Sequence, residues 1–201
     1  TCCACAAPAV TTEIAIFSHV TAKLVRHADL AAPGTGLIEE TWRSLRAALR
    51  SDRYKATVYF DRRPTELDAQ YEERLRAFCE SVGANLYVGQ QNGLRRQWLA
   101  ASQRATADLV LFVEHDWRFR PNCPSLRSLR ACFAANPDVS YVRLNKHRNE
   151  KTAAHPAPIA AERAALGSVC RIPEFLNQPH LIRRKALMEL IVPLIENDSA
   201  M

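Results

Sequence analysis

The sequence predicts an α/β domain in which helices cover both faces of a mostly parallel sheet. Short apolar segments alternate with amphipathic helical stretches over residues 14–113, the order that right-handed crossovers between parallel strands produce. One segment, residues 109–113, is uninterrupted and rich in β-branched and aromatic side chains, as in a strand buried on both faces. It runs into Glu114, His115 and Asp116, at the carboxyl end of a strand, where open sheets bind ligands.

The composition is that of a globular domain with an anionic partner. The 201 residues suffice for one domain, and 48% hydrophobic with 24% charged residues is ordinary. No apolar stretch is long enough to span a membrane and the start does not resemble a signal peptide, so we expect a cytoplasmic protein. The net charge of +6 favours a sugar nucleotide, nucleic acid, acidic glycan or membrane surface without choosing among them.

The cysteines indicate neither a disulfide framework nor a zinc site. There are seven, and no second Cys-x-x-Cys or histidine pair completes a metal site. Three crowd the N-terminus (Cys2, Cys3, Cys5) and four are scattered singly (Cys79, Cys123, Cys132, Cys170). We expect buried thiols in a reducing compartment, a flexible tail over residues 1–12 and one domain over residues 13–201.

The first half of the chain alternates strands with helices. Strands are predicted at residues 14–18, 56–60 and 85–88, followed by the buried strand at 109–113. Apolar residues at helical spacing predict the intervening helices, of which the second ends at Gly83 and the third begins at Gly93. The loop at residues 32–36 matches neither the dinucleotide nor the P-loop fingerprint.

The second half is less regular. We predict a helix carrying Leu126, Leu129 and Phe133, strands at 139–144, 169–172 and 179–182, a mobile loop at 146–158 and a short helix at 159–166. A last helix begins near Lys185, with an apolar face of Leu187, Leu190, Ile191 and Leu194 and an interruption at Pro193.

The acidic triplet is the first candidate site. Glu114 and Asp116 project to the same side if strand geometry persists, and paired carboxylates form an oxygen-rich site for a hard divalent cation. Two solvated acids at a strand end are the alternative. For His115 we favour a structural role.

These features resemble the nucleotide-sugar glycosyltransferases of the GT-A fold, especially the family 2-like ones. Residues 114–117 (EHDW) look like the DxD motif of that family, with Glu in the first place. Residues 142–146 (VRLNK) and 177–184 (NQPHLIRR) also resemble segments of its small bacterial and viral members. The resemblance covers roughly residues 13–190.

The resemblance implies a metal site for Mn²⁺ or Mg²⁺. Asp116 is the expected direct ligand, and Glu114 would contact the ribose or the donor sugar. His180 matches a position from which some members supply a third ligand, and an imidazole favours Mn²⁺ over Mg²⁺. A hydrogen-bonded structural histidine is the alternative for His180.

The resemblance also implies a nucleotide-sugar pocket. Asp61 matches an acid that binds the nucleotide base, with a plain turn residue as its alternative, and Ser18 and His19 would line the same pocket. Arg95 and Arg96 would neutralise the diphosphate or contact the donor sugar. Gln97 stands near the Asn usual in the family, which puts that last contact in doubt.

The catalytic base is not fixed by the sequence. An inverting transferase needs a carboxylate near the acceptor hydroxyl. In the resembled family it lies in a later acidic segment, and this sequence stops at Met201 before a full version of it. Either the chain is truncated, or the base is Glu174, Glu196 or Asp198, of which we take Glu174 as the candidate.

The function implied is metal-dependent transfer of a sugar from a nucleotide-diphosphate sugar to an acceptor hydroxyl, with inversion. A glycan is the commoner acceptor, and the arginine pairs also allow a hydroxymethylated base in DNA. The basic charge leaves a non-catalytic nucleic-acid-binding module as an alternative. A phosphatase or nucleotidyltransferase would share the carboxylates but not residues 177–184. The sequence specifies neither sugar, nucleotide nor oligomeric state.

Overall fold

The computed structural model describes residues 11–20, 33–49, 53–90, 93–121, 123–144 and 179–197. The strands are β1 (Thr12–Ser18), β2 (Lys55–Arg62), β3 (Asn85–Gln90), β4 (Leu109–Glu114), β5 (Tyr141–Arg143) and β6 (His180–Arg183). The helices are α1 (Gly36–Leu49), α2 (Glu66–Val82), α3 (Gly93–Arg104) and α4 (Leu126–Ala135). A C-terminal helix follows, made of α5 (Arg184–Ala186), a π-helical turn (Leu187–Ile191) and α6 (Val192–Asn197).

The described strands form a six-stranded sheet in the order β3-β2-β1-β4-β6-β5. The first four strands are parallel to one another, whereas β6 runs antiparallel to both β4 and β5. The predicted class, an α/β domain with a mostly parallel sheet, is confirmed. The helix at 159–166, the strand at 169–172 and the loop at 146–158 lie outside the described residues.

The sheet separates two apolar cores. Alternate residues of β1, β2 and β4 point to opposite faces, as strand geometry requires. One core joins the sheet to α1, α2 and α4 through Trp42, Leu45, Tyr71, Leu75 and Phe133. The other joins it to α3 and the C-terminal helix, where Ala101 and Leu187 are buried. Both faces are therefore covered, which explains the continuous apolar runs of β1, β2 and β4.

β4 is the centre of this arrangement. Leu109 to Val113 are each at most 2% exposed. Leu111 contributes to the core with α1 and α2, and Phe112 contributes to the core with α3. Burying one such side chain contributes about 1.5–3 kcal/mol to stability. The prediction from sequence of a strand buried on both faces is confirmed.

Gly83 ends α2 in the left-handed conformation, with φ of 70°. Its amide donates to the carbonyls of Cys79 and Glu80, and Ala84 N donates to Cys79 O at 2.9 Å. These contacts close the last turn of the helix in the way that glycine allows at this position.

We expect Gly83→Ala to lower the free energy of unfolding by about 1–2 kcal/mol, because an L-residue is strained in the left-handed region. An added Cβ would meet no atom within 4 Å, so the cost comes from the backbone alone. Gly36→Ala is the matched control, since a Cβ is also free of contacts there and φ is ordinary. Equal urea midpoints for the two variants would contradict the prediction.

The C-terminal helix departs from its predicted face. Leu187 and Val192 are buried, but Leu190 is 60% and Leu194 is 65% exposed. The π-helical turn before Pro193 contains one extra residue per turn, which rotates the following residues away from an α-helical pattern. The prediction that Leu190 and Leu194 belong to the packed face is therefore wrong.

The described cysteines are free thiols. Cys79 is buried, and Cys123 and Cys132 are partly buried. Burial raises the pKa of Cys79 to about 11, and it does the same for Cys123. Both remain protonated and unreactive at neutral pH. Cys2, Cys3, Cys5 and Cys170 lie outside the described residues. Within the described part of the chain, no helix has both the length and the apolar content to cross a membrane.

Candidate active site

The candidate site lies at the carboxyl ends of β1, β2 and β4. The strand order reverses between β1 and β4. The chain places β2 and then β3 on one side of β1, and it then continues through α3 to place β4 on the other side of β1. Ligands of open α/β sheets bind in the crevice at such a reversal. Ser18, Asp61 and Glu114 lie at the ends of these strands, together with the residues that follow them.

His115 fixes the end of β4 to β1. Its amide donates to Phe17 O at 2.9 Å, and its ring Nδ1 donates to the same oxygen at 3.2 Å. Thr41 Oγ1 of α1 donates to His115 O at 2.6 Å. The residue is 2% exposed. These contacts support the structural role predicted for His115.

The two carboxylates that flank His115 are exposed to different degrees. Glu114 is the last residue of β4 and is partly buried, opposite Phe17 of β1. The chain turns at His115, and Asp116 is exposed. Strand alternation therefore ends at Glu114, so the expectation that Glu114 and Asp116 share one side through strand geometry does not hold. The turn presents Asp116 to solvent at the crevice.

His19 contacts the ring of His115 and lies within electrostatic range of Asp61 and Asp116. It is exposed, and its ring centroid is 5.1 Å from that of His115 in an edge-to-face contact. Partial enclosure of the ring lowers the pKa of His19, while the negative charges of Asp116 and Asp61 act in the opposite direction. His19 is therefore neutral at pH 7, with the carboxylates of Asp116 and Asp61 within electrostatic range.

Asp61 connects the end of β2 to the start of α3. Its Oδ2 accepts a hydrogen bond from the amide of Gly93 at 2.9 Å. Gly93 has φ of 65°, a conformation that glycine adopts without strain, and this lets its amide point at the carboxylate. A carboxylate at a helix N-terminus is stabilised by the helix dipole. Asp61 is partly buried at the edge, and its contact with a nucleotide base stays a prediction.

Ser18 differs from its neighbour His19. Its side chain is 0% exposed, and its Oγ shares a 2.8 Å hydrogen bond with Tyr71 Oη of α2. Its carbonyl accepts from Gln97 Nε2 at 3.2 Å, and the same nitrogen donates to Tyr59 O at 3.1 Å. The hydroxyl of Ser18 therefore holds α2 against β1, which leaves His19 as the member of the pair that lines the crevice.

We expect Ser18→Ala and Tyr71→Phe each to lower the free energy of unfolding by about 1–2 kcal/mol, because each leaves a buried hydroxyl without its partner. The double variant should cost less than the sum of the two. Urea denaturation of the four proteins measures this coupling. Strict additivity would show that the 2.8 Å contact contributes nothing to stability.

The two arginines at the start of α3 have different roles. Arg95 Nη2 donates to Ile195 O at 2.6 Å and to Leu194 O at 3.5 Å, so its guanidinium caps the C-terminal helix. Arg96 is exposed one residue further along the first turn of α3. The structure thus makes Arg96 the freer of the two for a diphosphate, and the contact stays a prediction for both.

His180 begins β6 opposite Phe112 of β4. It is 0% exposed, and its ring centroid lies 5.4 Å from Trp98, 5.2 Å from Phe112 and 5.0 Å from Tyr141. Enclosure by three aromatic rings favours the structural alternative over metal ligation. As a metal ligand, His180 stays a prediction.

One cluster beside the site was not predicted from the sequence. Asp68 of α2 is 0% exposed and accepts hydrogen bonds from the amide and guanidinium of Arg63 and from Thr65 Oγ1. Arg63 Nη2 also donates to Val20 O, just after His19. The signal was present, because Thr65 and Asp68 have the spacing of a capping box. The cluster fixes the end of β2 to the segment after β1.

The candidates for a catalytic base fall mostly outside the described residues. Glu174 and Asp198 lie outside them, as do Asn177 and Gln178. Glu196 is exposed on the C-terminal helix, and its Oε1 accepts from Gln103 Nε2 of α3 at 3.4 Å. Glu174 as the base stays a prediction.

The donor set at the edge suits a metal ion that arrives with phosphates. Within the described ranges, no group of three His, Cys, Asp or Glu residues could hold a metal ion by itself. Mg²⁺ at phosphate sites is usually held by one or two carboxylates together with the substrate phosphates. The exposed carboxylate of Asp116 provides one such oxygen ligand.

Comparison with protein-family models gives no match, and comparison with curated proteins gives none either. Solved structures do match. The mannosyltransferase PcManGT from Pyrobaculum calidifontis, solved with GDP-Man and Mn²⁺, has a TM-score of 0.59 and 16% identity over 90% of this chain and 46% of its own. S. aureus TarS 1-349 has a TM-score of 0.53 and 16% identity, covering 94% and 49%.

A third structure is glucosyl-3-phosphoglycerate synthase from Mycobacterium tuberculosis, solved with Mn²⁺, UDP and phosphoglyceric acid. It has a TM-score of 0.52 and 14% identity, covering 90% of this chain and 58% of its own. The chain thus spans about half the length of these proteins. Identities this low establish the fold alone, and the fold is GT-A.

Proposed function

We propose that this protein is a metal-dependent glycosyltransferase that takes a sugar from a nucleotide-diphosphate donor. The observation that carries the proposal is the placement of Asp61, Glu114 and Asp116 at or just after the carboxyl ends of β2 and β4, around the reversal of strand order in a GT-A fold. That crevice is where α/β sheets bind nucleotides. The neighbours solved with GDP-Man, UDP and UDP-GlcNAc support the same class of donor.

The residues of the crevice divide between binding the nucleotide and binding its diphosphate. Asp61, fixed by Gly93 N, accepts a hydrogen bond from the base, and the neutral imidazole of His19 lines the nucleotide pocket. Arg96 offers a cation to the diphosphate from the first turn of α3. The partly buried Glu114 faces the ribose or the donor sugar.

Asp116 would hold the divalent cation, Mn²⁺ or Mg²⁺, through its exposed carboxylate. When bound, the cation supplies positive charge to the diphosphate that leaves. The hydrogen bonds of His115 to Phe17 O and from Thr41 keep the turn that carries Asp116 in place. Preorganisation of this kind lowers the cost of ordering the site on binding.

Inversion requires a carboxylate that removes the proton of the acceptor hydroxyl, and Glu174 is our candidate. A glycan hydroxyl is the proposed acceptor. A hydroxymethylated base in DNA is the second and less favoured candidate, because five of the six arginines that suggested it make contacts within the protein.

The nucleic-acid-binding alternative loses support from the arginine contacts. Arg62 pairs with Glu72, Arg63 with Asp68, and Arg95 caps the C-terminal helix. Arg183 and Arg184 donate to backbone carbonyls. Arginines used in this way are not available as a stripe along a phosphate backbone. The transferase remains the function that the geometry supports best.

The proposal predicts a stabilising ligand that needs a metal ion. Melting temperatures should be measured with UDP-, GDP-, CDP- and dTDP-sugars, with Mn²⁺, with Mg²⁺ and with EDTA. A donor at one hundred times its Kd adds about 2.7 kcal/mol to the free energy of unfolding. For a domain of this size that corresponds to a rise of roughly 5–10 °C.

The rise should vanish in EDTA and should not occur with Mn²⁺ alone. Binding of duplex or single-stranded DNA, with no shift from any nucleotide sugar, would overturn the proposal in favour of a nucleic-acid-binding module. Release of the free sugar or its transfer to added glycans, followed by mass spectrometry, then identifies the reaction.

A further inference from the structure

Arg143, the last residue of β5, has a guanidinium that the fold encloses but does not satisfy. Its Nε and Nη1 are buried, and among the residues that the structure describes no group hydrogen-bonds to either. The residue as a whole is only partly buried, so part of the side chain still reaches an opening. A guanidinium is always charged, so burying two of its nitrogens without a partner is unfavourable.

Strand register places Arg143 toward the same edge of the sheet as the candidate active site. Arg143 lies opposite His180 on β6, and His180 lies opposite Phe112 on β4. Both β5 and β4 are antiparallel to β6, so they run in the same direction and end at the same edge of the sheet. Arg143 is therefore level with Phe112, two residues or about 6.6 Å short of Glu114 along the strand.

The face of the sheet is also defined. Residues opposite each other in an antiparallel pair project to the same side, and alternate residues of a strand share a side. Arg143 thus shares a side with His180 and Tyr141, whose rings are 5.0 Å apart. This is the side of the sheet that α3 covers. Phe17 and Tyr59 project to the same side, and they lie two residues before His19 and Asp61, respectively.

Two nearby arginines, Arg183 and Arg184, make hydrogen bonds of a kind that Arg143 lacks. Arg183 on β6 donates to Val139 O, Phe133 O and Asn136 O, and Arg184 donates to Ala105 O. Those guanidiniums are used to join elements of the fold. Arg143 has none of these contacts, although it sits on the adjacent strand, so a structural role does not explain its enclosure.

We infer that Arg143 binds an anionic group of the acceptor, a phosphate or a carboxylate. The inference rests on the proposed function, and it names the acceptor class. His19 and Asp61 follow or end β1 and β2, on one side of β4. β5 lies on the other side of β4, two strands or about 10 Å from it. The donor occupies the first half, which leaves the second to the acceptor. A planar guanidinium pairs with either anion through two parallel hydrogen bonds.

The first test is stability without a ligand. Arg143→Met keeps an unbranched apolar side chain similar to the aliphatic part of arginine and removes the charged guanidinium. Since the charge is enclosed without a partner, the variant should melt at the same temperature as the wild type or higher in a buffer free of phosphate and carboxylate. A clear fall in melting temperature would show a structural role and would overturn the inference.

The second test is binding of anions, measured by calorimetry with methyl phosphate, acetate, glucose 6-phosphate, glucuronate and neutral glucose. We expect the wild type to bind the anionic sugars, and the more tightly bound anion identifies the group. Arg143→Met should bind at least about tenfold more weakly, since a charge-assisted pair is lost. Arg127→Met, at an exposed arginine of α4, should bind as the wild type does.

Asp116→Ala separates this site from the metal site. Anion binding that persists in Asp116→Ala and is lost in Arg143→Met supports the inference. Binding that is unchanged in Arg143→Met, or no binding of any anion to the wild type, overturns it. We expect Arg143→Met to keep the metal-dependent shift in melting temperature with nucleotide sugars. Failure of the acceptor inference would therefore appear in the anion titrations, whereas failure of the proposed function would appear as the absence of that shift in the wild type.

Discussion

Asp116→Ala is expected to abolish the rise in melting temperature that a nucleotide sugar and Mn²⁺ produce together, and to slow sugar transfer at least about a thousandfold. The carboxylate of Asp116 is the exposed acid of the triplet, and a divalent cation stabilises the charge that develops on the departing diphosphate by several kcal/mol. Each 1.36 kcal/mol of that stabilisation is about a factor of ten in rate.

The substitution should leave the fold intact. Asp116 is exposed in a turn whose position is set by the contacts of His115 and Thr41, so the variant should unfold at the same urea concentration as the wild type. Asp116→Asn keeps the shape and removes the charge, and it should lose the metal-dependent shift as Asp116→Ala does.

Asp138→Ala is the matched control. Asp138 is an exposed aspartate that precedes β5, and since β5 runs parallel to β4 it lies toward the opposite edge of the sheet. This variant should keep the full shift and the full rate. A metal-dependent shift that survives in Asp116→Ala would show that another residue holds the cation, while the wild-type shift would still support the transferase.

The fold was predictable because its signals are local. The apolar run of β4, the glycines that end α2 and begin α3, and the helical spacing of α1 and α4 each depend on a few neighbouring residues. The direction of β6 was not predictable, since it depends on a connection that no local pattern describes. The π-helical turn likewise changed the face of the C-terminal helix without a signature that periodicity could reveal.

The site was predictable in position but less so in detail. The acids at the strand ends follow from the position of each strand, and in the structure the charges of Asp61 and Asp116 both act on His19. The partner of Ser18 is 53 residues away, and Arg95 donates to a carbonyl 100 residues away. Such pairings follow from packing, so the sequence could not separate residues that line the crevice from residues that support it.

The cluster around Asp68 gives the second large effect, on stability. Asp68→Asn is expected to lower the free energy of unfolding at pH 7 by about 2 kcal/mol. The carboxylate is 0% exposed and accepts from Arg63 N at 2.9 Å and from Thr65 Oγ1 at 2.7 Å. Removing one partner of a buried charged pair commonly costs about 3–5 kcal/mol. Arg63 is 52% exposed, so water can solvate its charge and the cost is smaller.

The matched control is the adjacent arginine pair. Arg62 Nη1 lies 3.1 Å from Glu72 Oε2, with the arginine side chain 40% exposed. Glu72 is 16% exposed and keeps its 2.8 Å pair with Arg76, and Arg62 itself is largely solvated, so Arg62→Ala should cost only about 0–1 kcal/mol. If Asp68→Asn and Arg62→Ala cost the same, the buried hydrogen bonds of Asp68 would have no special weight.

The pH dependence of the free energy of unfolding, compared between the wild type and Asp68→Asn, distinguishes loss of the Asp68 charge from loss of packing. Burial alone would raise the pKa of Asp68, but hydrogen bonds from the Arg63 amide, the Thr65 hydroxyl and the Arg63 guanidinium outweigh it and lower that pKa below the ordinary value of 3.8. A carboxyl whose pKa is lower in the folded state stabilises the fold above its unfolded pKa, and the stabilisation is lost as the pH falls through the folded value.

The difference in the free energy of unfolding between the wild type and Asp68→Asn should therefore be constant from pH 7 down to about pH 4, and should shrink below it. Urea denaturation at a series of pH values measures this difference. A gap that stays constant to pH 2 would mean that the asparagine disrupts packing rather than removing a charge. Because Arg63 also holds Val20 O beside His19, the destabilised variant should bind the nucleotide sugar more weakly as well.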